Sequence, residues 1–72
     1  MELLIEKKSA RMWLENTVRL PQYYQLFMDQ GFEDLESIAE ITVDNLKEIG
    51  IDKIGHRNKI LKYAKILKDS ML

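Results

Sequence analysis

Apolar residues along this chain recur at spacings of three and four, and nowhere do they alternate strictly with polar ones. That period belongs to helices with one buried face, not to strands. Met12, Trp13, Leu14 and Val18 predict a first helix over residues 8–18, starting at Lys8. Pro21, the only proline, suits the first position of a second helix, where its missing N–H costs nothing. Tyr23, Tyr24, Leu26, Phe27 and Met28 populate that helix, and Gly31 stands where a left-handed C-terminal cap is wanted. A short third helix reads over residues 34–39. Thr42 is a good N-cap for a fourth, over residues 43–49, which Gly50 closes. The fifth and longest runs from about Gly55 to Ser70, with Asp52 near its start. Its Ile60, Leu61, Ala64, Leu67 and Met71 make one stripe for burial. The expected fold is all-α: a compact five-helix bundle with a long C-terminal helix.

Length and composition narrow the function. Seventy-two residues make one domain, residues 1–72 with a core over about 8–70, and a chain this short reads as a module of a longer protein. A hydrophobic fraction of 46% with a net charge of −1 argues against disorder. Cysteine is absent, which excludes disulfides, thiol catalysis and Cys-ligated metal sites, and fits a reducing, cytoplasmic setting. No run approaches the roughly 18 apolar residues of a membrane span. The first six residues are too acidic and too briefly apolar for a signal peptide.

Catalytic chemistry is equally hard to find. His56 is the only histidine, and Ser9, Ser37 and Ser70 lack the glycine-flanked setting of a nucleophile elbow. The three glycines stand alone, so there is no phosphate-cradling loop. The chain reads as a non-enzyme with no cofactor, no metal and no small-molecule substrate.

Near-neutrality hides a separation of charge. Residues 29–52 hold Asp29, Glu33, Asp34, Glu36, Glu40, Asp44, Glu48 and Asp52 against Lys47 alone, a balance of −7. Residues 53–72 hold Lys53, Arg57, Lys59, Lys62, Lys65 and Lys68 against Asp69, a balance of +5. An acidic face and a basic face on one body attract each other on different copies, or attract unlike partners. The basic end also opens a helix, where free N–H groups add partial positive charge beside Lys53, His56 and Arg57. Arg57 and Lys59 gain nothing from that dipole, so carboxylates from outside explain them better.

The order of several short pieces resembles the sterile alpha motif (SAM) domain: Trp13-Leu14, Leu20-Pro21-Gln22-Tyr23, Phe27, Gly31-Phe32-Glu33-Asp34-Leu35-Glu36, Ile41-Thr42, Glu48-Ile49-Gly50-Ile51 and, most specific, Gly55-His56-Arg57-Asn58-Lys59-Ile60-Leu61. The resemblance implies a five-helix interaction module whose partner is another SAM domain, its own or a different one, with weak homo-oligomers among the outcomes. It implies an acidic mid-loop face of Phe32, Glu33, Asp34, Glu36 and Glu40, similar to inositol-phosphatase SAM domains. It also implies a basic end-helix face of Lys53, Gly55, His56, Arg57 and Lys59, similar to Eph-receptor, Arap-type and Odin-type SAM domains. One departure stands out: Trp13 and Leu20 are seven apart, one more than the family's usual spacing, so the first loop or helix end is expected to bulge.

Individual residues carry alternatives. Trp13 reads as core; Phe32 as either a cap on the core or a half-exposed anchor of the acidic face. His56 reads first as the partner of a local hydrogen bond, and Tyr23, Tyr24 and Tyr63 as packing residues. Some SAM domains bind RNA hairpins, and Arg57, Lys59 and Lys62 would then meet phosphate, but eight carboxylates in 29–52 argue against nucleic acid. Lys59, Lys62, Lys65 and Lys68 walk around the last helix rather than forming one stripe, which argues against a membrane surface; Lys65 and Lys68 read as solvated. A purely structural cap within a larger protein is the remaining reading.

Overall fold

The computed structural model describes residues 9–71. The expected helix start at Lys8 and the N-terminal residues 1–6 lie outside them. Among the described residues there are five helical segments and no strand. Helix α1 covers residues 9–18 and changes character midway, from α-helical over 9–12 to π-helical over Trp13–Val18. The Arg19 N–H reaches back to the Leu14 carbonyl, and the Leu20 N–H donates to the same oxygen at 2.9 Å. A π turn takes one residue more than an α turn. The extra residue between Trp13 and Leu20 is absorbed there, and both side chains stay buried. Arg19 ends the helix at φ 62°, the one non-glycine among the described residues with positive φ. That conformation costs an L-residue about 1–2 kcal/mol.

Helix α2 opens as a 3₁₀ turn at Pro21–Tyr23 and continues as Tyr24–Asp29. Its end is a Schellman closure. The Phe32 N–H donates to the Phe27 carbonyl at 2.8 Å and the Gly31 N–H to that of Met28 at 3.1 Å, with Gly31 at φ 84°. Helix α4, Val43–Glu48, closes in the same way. There the Ile51 N–H donates to Leu46 at 3.0 Å, the Gly50 N–H to Lys47 at 3.1 Å, and Gly50 takes φ 96°. A non-glycine residue at either position would pay the left-handed penalty.

Thr42 caps α4 as its residue type suggested, while Asp34, read from the sequence as the first residue of the third helix, is instead its N-cap. Asp34 Oδ1 accepts from the Ser37 N–H at 2.7 Å and opens α3, Leu35–Ala39. Thr42 and Asn45 form a reciprocal capping box on α4, with bonds of 3.1 and 3.0 Å. Helix α5, Ile54–Ser70, has no side-chain cap.

The core gathers one face of every helix. Leu14, Val18, Phe27, Ile38, Leu46, Ile51 and Ile60 are fully enclosed. Helix α5 is the spine, touched by α1, α3 and α4. The expected α5 stripe holds for Ile60 and Ala64, which are buried, and for Leu61 and Leu67, which pack partly. It fails at Met71, which is 47% exposed because it follows the last turn, beyond the stretch 60–67 that meets the cluster. The Cα radius of gyration of 11.2 Å is that of a close-packed domain of this length, about 11 Å. No helix of the described residues is long and apolar enough to cross a membrane.

Candidate interaction surfaces

The acidic candidates follow one stretch of chain. Phe32 is half-buried: its ring lies 6.1 Å from that of Phe27 at a tilt of 59°, and its backbone completes the α2 closure. Of the two readings the sequence allowed, the cap on the core is seen: Phe32 packs against the buried cluster. Glu33 is half-buried beside it. Asp34 is committed to capping α3, so its charge also sits at a helix N-terminus, where it is favourable. Glu36 and Glu40 are exposed and four residues apart, hence on one side of α3. Glu40 reaches Nζ of Lys68 at 3.1 Å, an open pair with both side chains more than half exposed. Lys68 is thus a tether between α3 and the end of α5, not simply solvated surface.

The basic candidates open α5. Lys53 is exposed at the N-cap, and the first turn of the helix holds no acidic residue to offset its positive end. By contrast, α3 and α4 each carry an acidic residue in the first turn, Glu36 and Asp44. Gly55 is exposed, and a Cβ built on it would meet nothing within 4 Å. Packing within the chain therefore does not require a glycine there. His56 is half-buried and shares a hydrogen bond through Nδ1 with the Tyr23 hydroxyl, the two rings meeting edge-on at 5.4 Å. The hydrogen bond expected of His56 is not a local one at the start of α5: its partner, Tyr23, comes from the first turn of α2, and Tyr23 is more than a packing residue. Arg57 Nη2 donates to the Asp52 carbonyl at 2.9 Å. Outside carboxylates are thus not the sole account of Arg57: it also closes the loop before α5, because a long guanidinium one turn inside the helix reaches back over it. Lys59 is half-buried.

The helices give the distance between the two groups. Glu40 touches Lys68, near the end of α5, while Arg57 lies in its first turn. Eleven residues at 1.5 Å each separate Lys68 from Arg57 by roughly 16 Å of helix. Glu40 and Arg57 therefore stand at different ends of α5.

Sequence reasoning missed Ile54. It is 69% exposed, the most exposed large hydrophobic residue described, and it stands between Lys53 and Gly55. An isolated isoleucine at a helix start carries no periodic signal that separates surface from core. Groups of three or more His, Cys, Asp or Glu side chains able to hold a metal ion are absent among the described residues.

Comparison with known proteins follows the same outline. The model of the SAM domain (sterile alpha motif) matches residues 5–68. Caskin-1 of Rattus norvegicus is 40% identical over 62 residues, covering 83% of this chain and 4% of that protein. Caskin-2 of Xenopus laevis is 39% identical over 57 residues, 79% of this chain and 5% of the relative. Ephrin type-A receptor 5 of Gallus gallus is 30% identical over 61 residues, 85% of this chain and 6% of the receptor. The chain thus spans only about a twentieth of the length of these relatives.

Proposed function

The chain belongs to the SAM family, whose members generally serve as protein-interaction modules, and from that premise we propose that it joins SAM domains head to tail. In this reading Phe32, Glu33, Asp34, Glu36 and Glu40 of one copy receive Lys53, Gly55, His56, Arg57 and Lys59 of the next. The module performs no catalysis itself and serves a signalling or scaffolding adaptor in the cytoplasm, as one domain of a longer chain. Charge separation along the chain carries the proposal: −7 over residues 29–52 and +5 over residues 53–72, with Lys53 and Arg57 at the start of α5 and Glu40 against Lys68 near its end.

The α5 start supports it further. Uncapped N–H groups, no first-turn acid, an exposed Lys53 and a glycine with open space beside it together favour the close approach of carboxylates. Because the two surfaces are different, their contact is heterologous and propagates when it does not close.

Sedimentation velocity over a wide concentration range tests the proposal. Glu36→Lys and Lys53→Glu are the cleanest single changes, since neither side chain makes a hydrogen bond or ion pair among the described residues. The proposal expects growth beyond a dimer that either variant stops, and that salt weakens as the Debye length falls below about 10 Å. A monomer at every concentration and salt, for the parent chain, refutes self-association. Tight binding of a short RNA hairpin through Arg57, Lys59 and Lys62 contradicts the protein-partner reading.

A further inference from the structure

We propose that the groove between the π-helical part of α1 and Leu35 of α3 receives Ile54 of a second copy of this chain. The inference rests on the head-to-tail reading above and names an apolar contact inside it. The groove measures about 330 Å³ and is lined by Ser9, Met12, Trp13, Asn16, Thr17 and Leu35. Its apolar lining is Trp13, Met12 and Leu35, of which Trp13 is buried and Met12 is 50% exposed. The π turn forms one wall, so the residue added between Trp13 and Leu20 falls within the segment that shapes the groove.

Charge identifies the occupant. Leu35 stands between Asp34 and Glu36 in the chain, so carboxylates flank the α3 side of the groove without lining it. On α1, Arg11 beside Met12 is paired with Glu15 at 3.0 Å and contributes little net charge to the other rim. A fitting guest is an aliphatic side chain ringed by cations. Ile54 has Lys53 before it, with Arg57 and Lys59 in the turns that follow. Ile66, also exposed on α5, is twelve residues further on, roughly 18 Å along the helix and away from the basic start. An aliphatic anchor seated in a pocket, with charged pairs around it, is the arrangement that concentrates binding energy in a few residues.

The absence of cysteine makes a direct test available. Met12→Cys chains, mass-tagged, are mixed with Ile54→Cys chains under mild oxidation, and heterodimers are counted by intact mass. Met12→Cys with Ile66→Cys is the reference, because Ile66 at 53% exposure is comparably open. Where Met12→Cys does not fold, Asn16→Cys on the same groove replaces it. The proposal expects the Ile54 pairing to exceed the reference by at least about tenfold, and Ile54→Ser to weaken self-association by a similar factor. Association that Lys53→Glu and salt weaken, without preferential Ile54 pairing and with no effect of Ile54→Ser, overturns this contact while leaving the head-to-tail reading standing. No association of the parent chain at any concentration overturns both.

Discussion

Asp34 is the residue at which folding and binding are most tightly joined, and two substitutions separate them. Its carboxylate accepts the Ser37 N–H at 2.7 Å and opens a helix of only five residues. That helix buries Ile38 and Ala39 and packs on α5. Removing an N-cap side chain costs about 1 kcal/mol, within a range of roughly 0.5–2. A domain of 60–100 residues loses about 4–8 °C of Tm for each such kcal/mol. Asp34→Ala is therefore expected to lower Tm by roughly that interval. Asp34→Asn keeps a side-chain oxygen for the same bond, and asparagine caps about as well as aspartate. It is expected to hold Tm within about 3 °C while removing one negative charge from the proposed acidic face. Thermal unfolding followed by far-UV circular dichroism reads the first effect, and sedimentation velocity at low salt reads the second. Both variants should associate more weakly than the parent, and only the alanine should unfold early. If Asp34→Asn is as unstable as Asp34→Ala, the cap does not work through a side-chain oxygen. If Asp34→Asn associates like the parent, Asp34 adds nothing to the acidic face.

Gly55→Ala should stabilise the isolated domain by about 0.5–1 kcal/mol, because the glycine sits inside a helix with open space around it; the same change should weaken association if a partner backbone approaches there. Chemical denaturation and sedimentation velocity read the two effects. Phe27→Ala empties a fully enclosed aromatic site and costs about 3–5 kcal/mol, most of what a core of this size supplies, so circular dichroism at 25 °C should show a largely unfolded chain. Tyr23→Phe keeps the ring against His56 but loses the hydroxyl bond, and should cost about 1 kcal/mol in urea unfolding.

Much of the fold was legible because it rests on local chemistry. Gly31 and Gly50 take positive φ where helices end, and Thr42 caps where α4 starts. Each such signal lies within a few residues of the bond it makes. The first helix shows the limit of this kind of reading. A seven-residue step from Trp13 to Leu20 announced an extra residue, but its absorption as a π turn and a left-handed Arg19 depends on keeping both flanking side chains in the core. Periodicity puts Met71 on the buried stripe because it does not say where the covering helices stop.

The candidate surfaces were legible by charge and not by contact. The hydrogen bond between Tyr23 and His56 spans 33 residues of sequence, and that between Lys68 and Glu40 spans 28. Neither separation has a sequence signature. Arg57 was chosen for its charge, and its bond to the Asp52 carbonyl appears only once the loop before α5 is in place. Ile54 went unnoticed for the opposite reason: one apolar residue in a basic stretch is exposed only because α5 begins there.

The central claim, that unlike surfaces of identical copies meet head to tail, is tested most directly by complementation. Glu36→Lys leaves the basic end of α5 intact, and Lys53→Glu leaves the α3 face intact. Sedimentation equilibrium of each variant alone should fit a monomer, and an equimolar mixture should fit a dimer and nothing larger, since one working acidic face meets one working basic face. A mixture that remains monomeric while the parent chain assembles, or variants that assemble as well as the parent, would contradict the account.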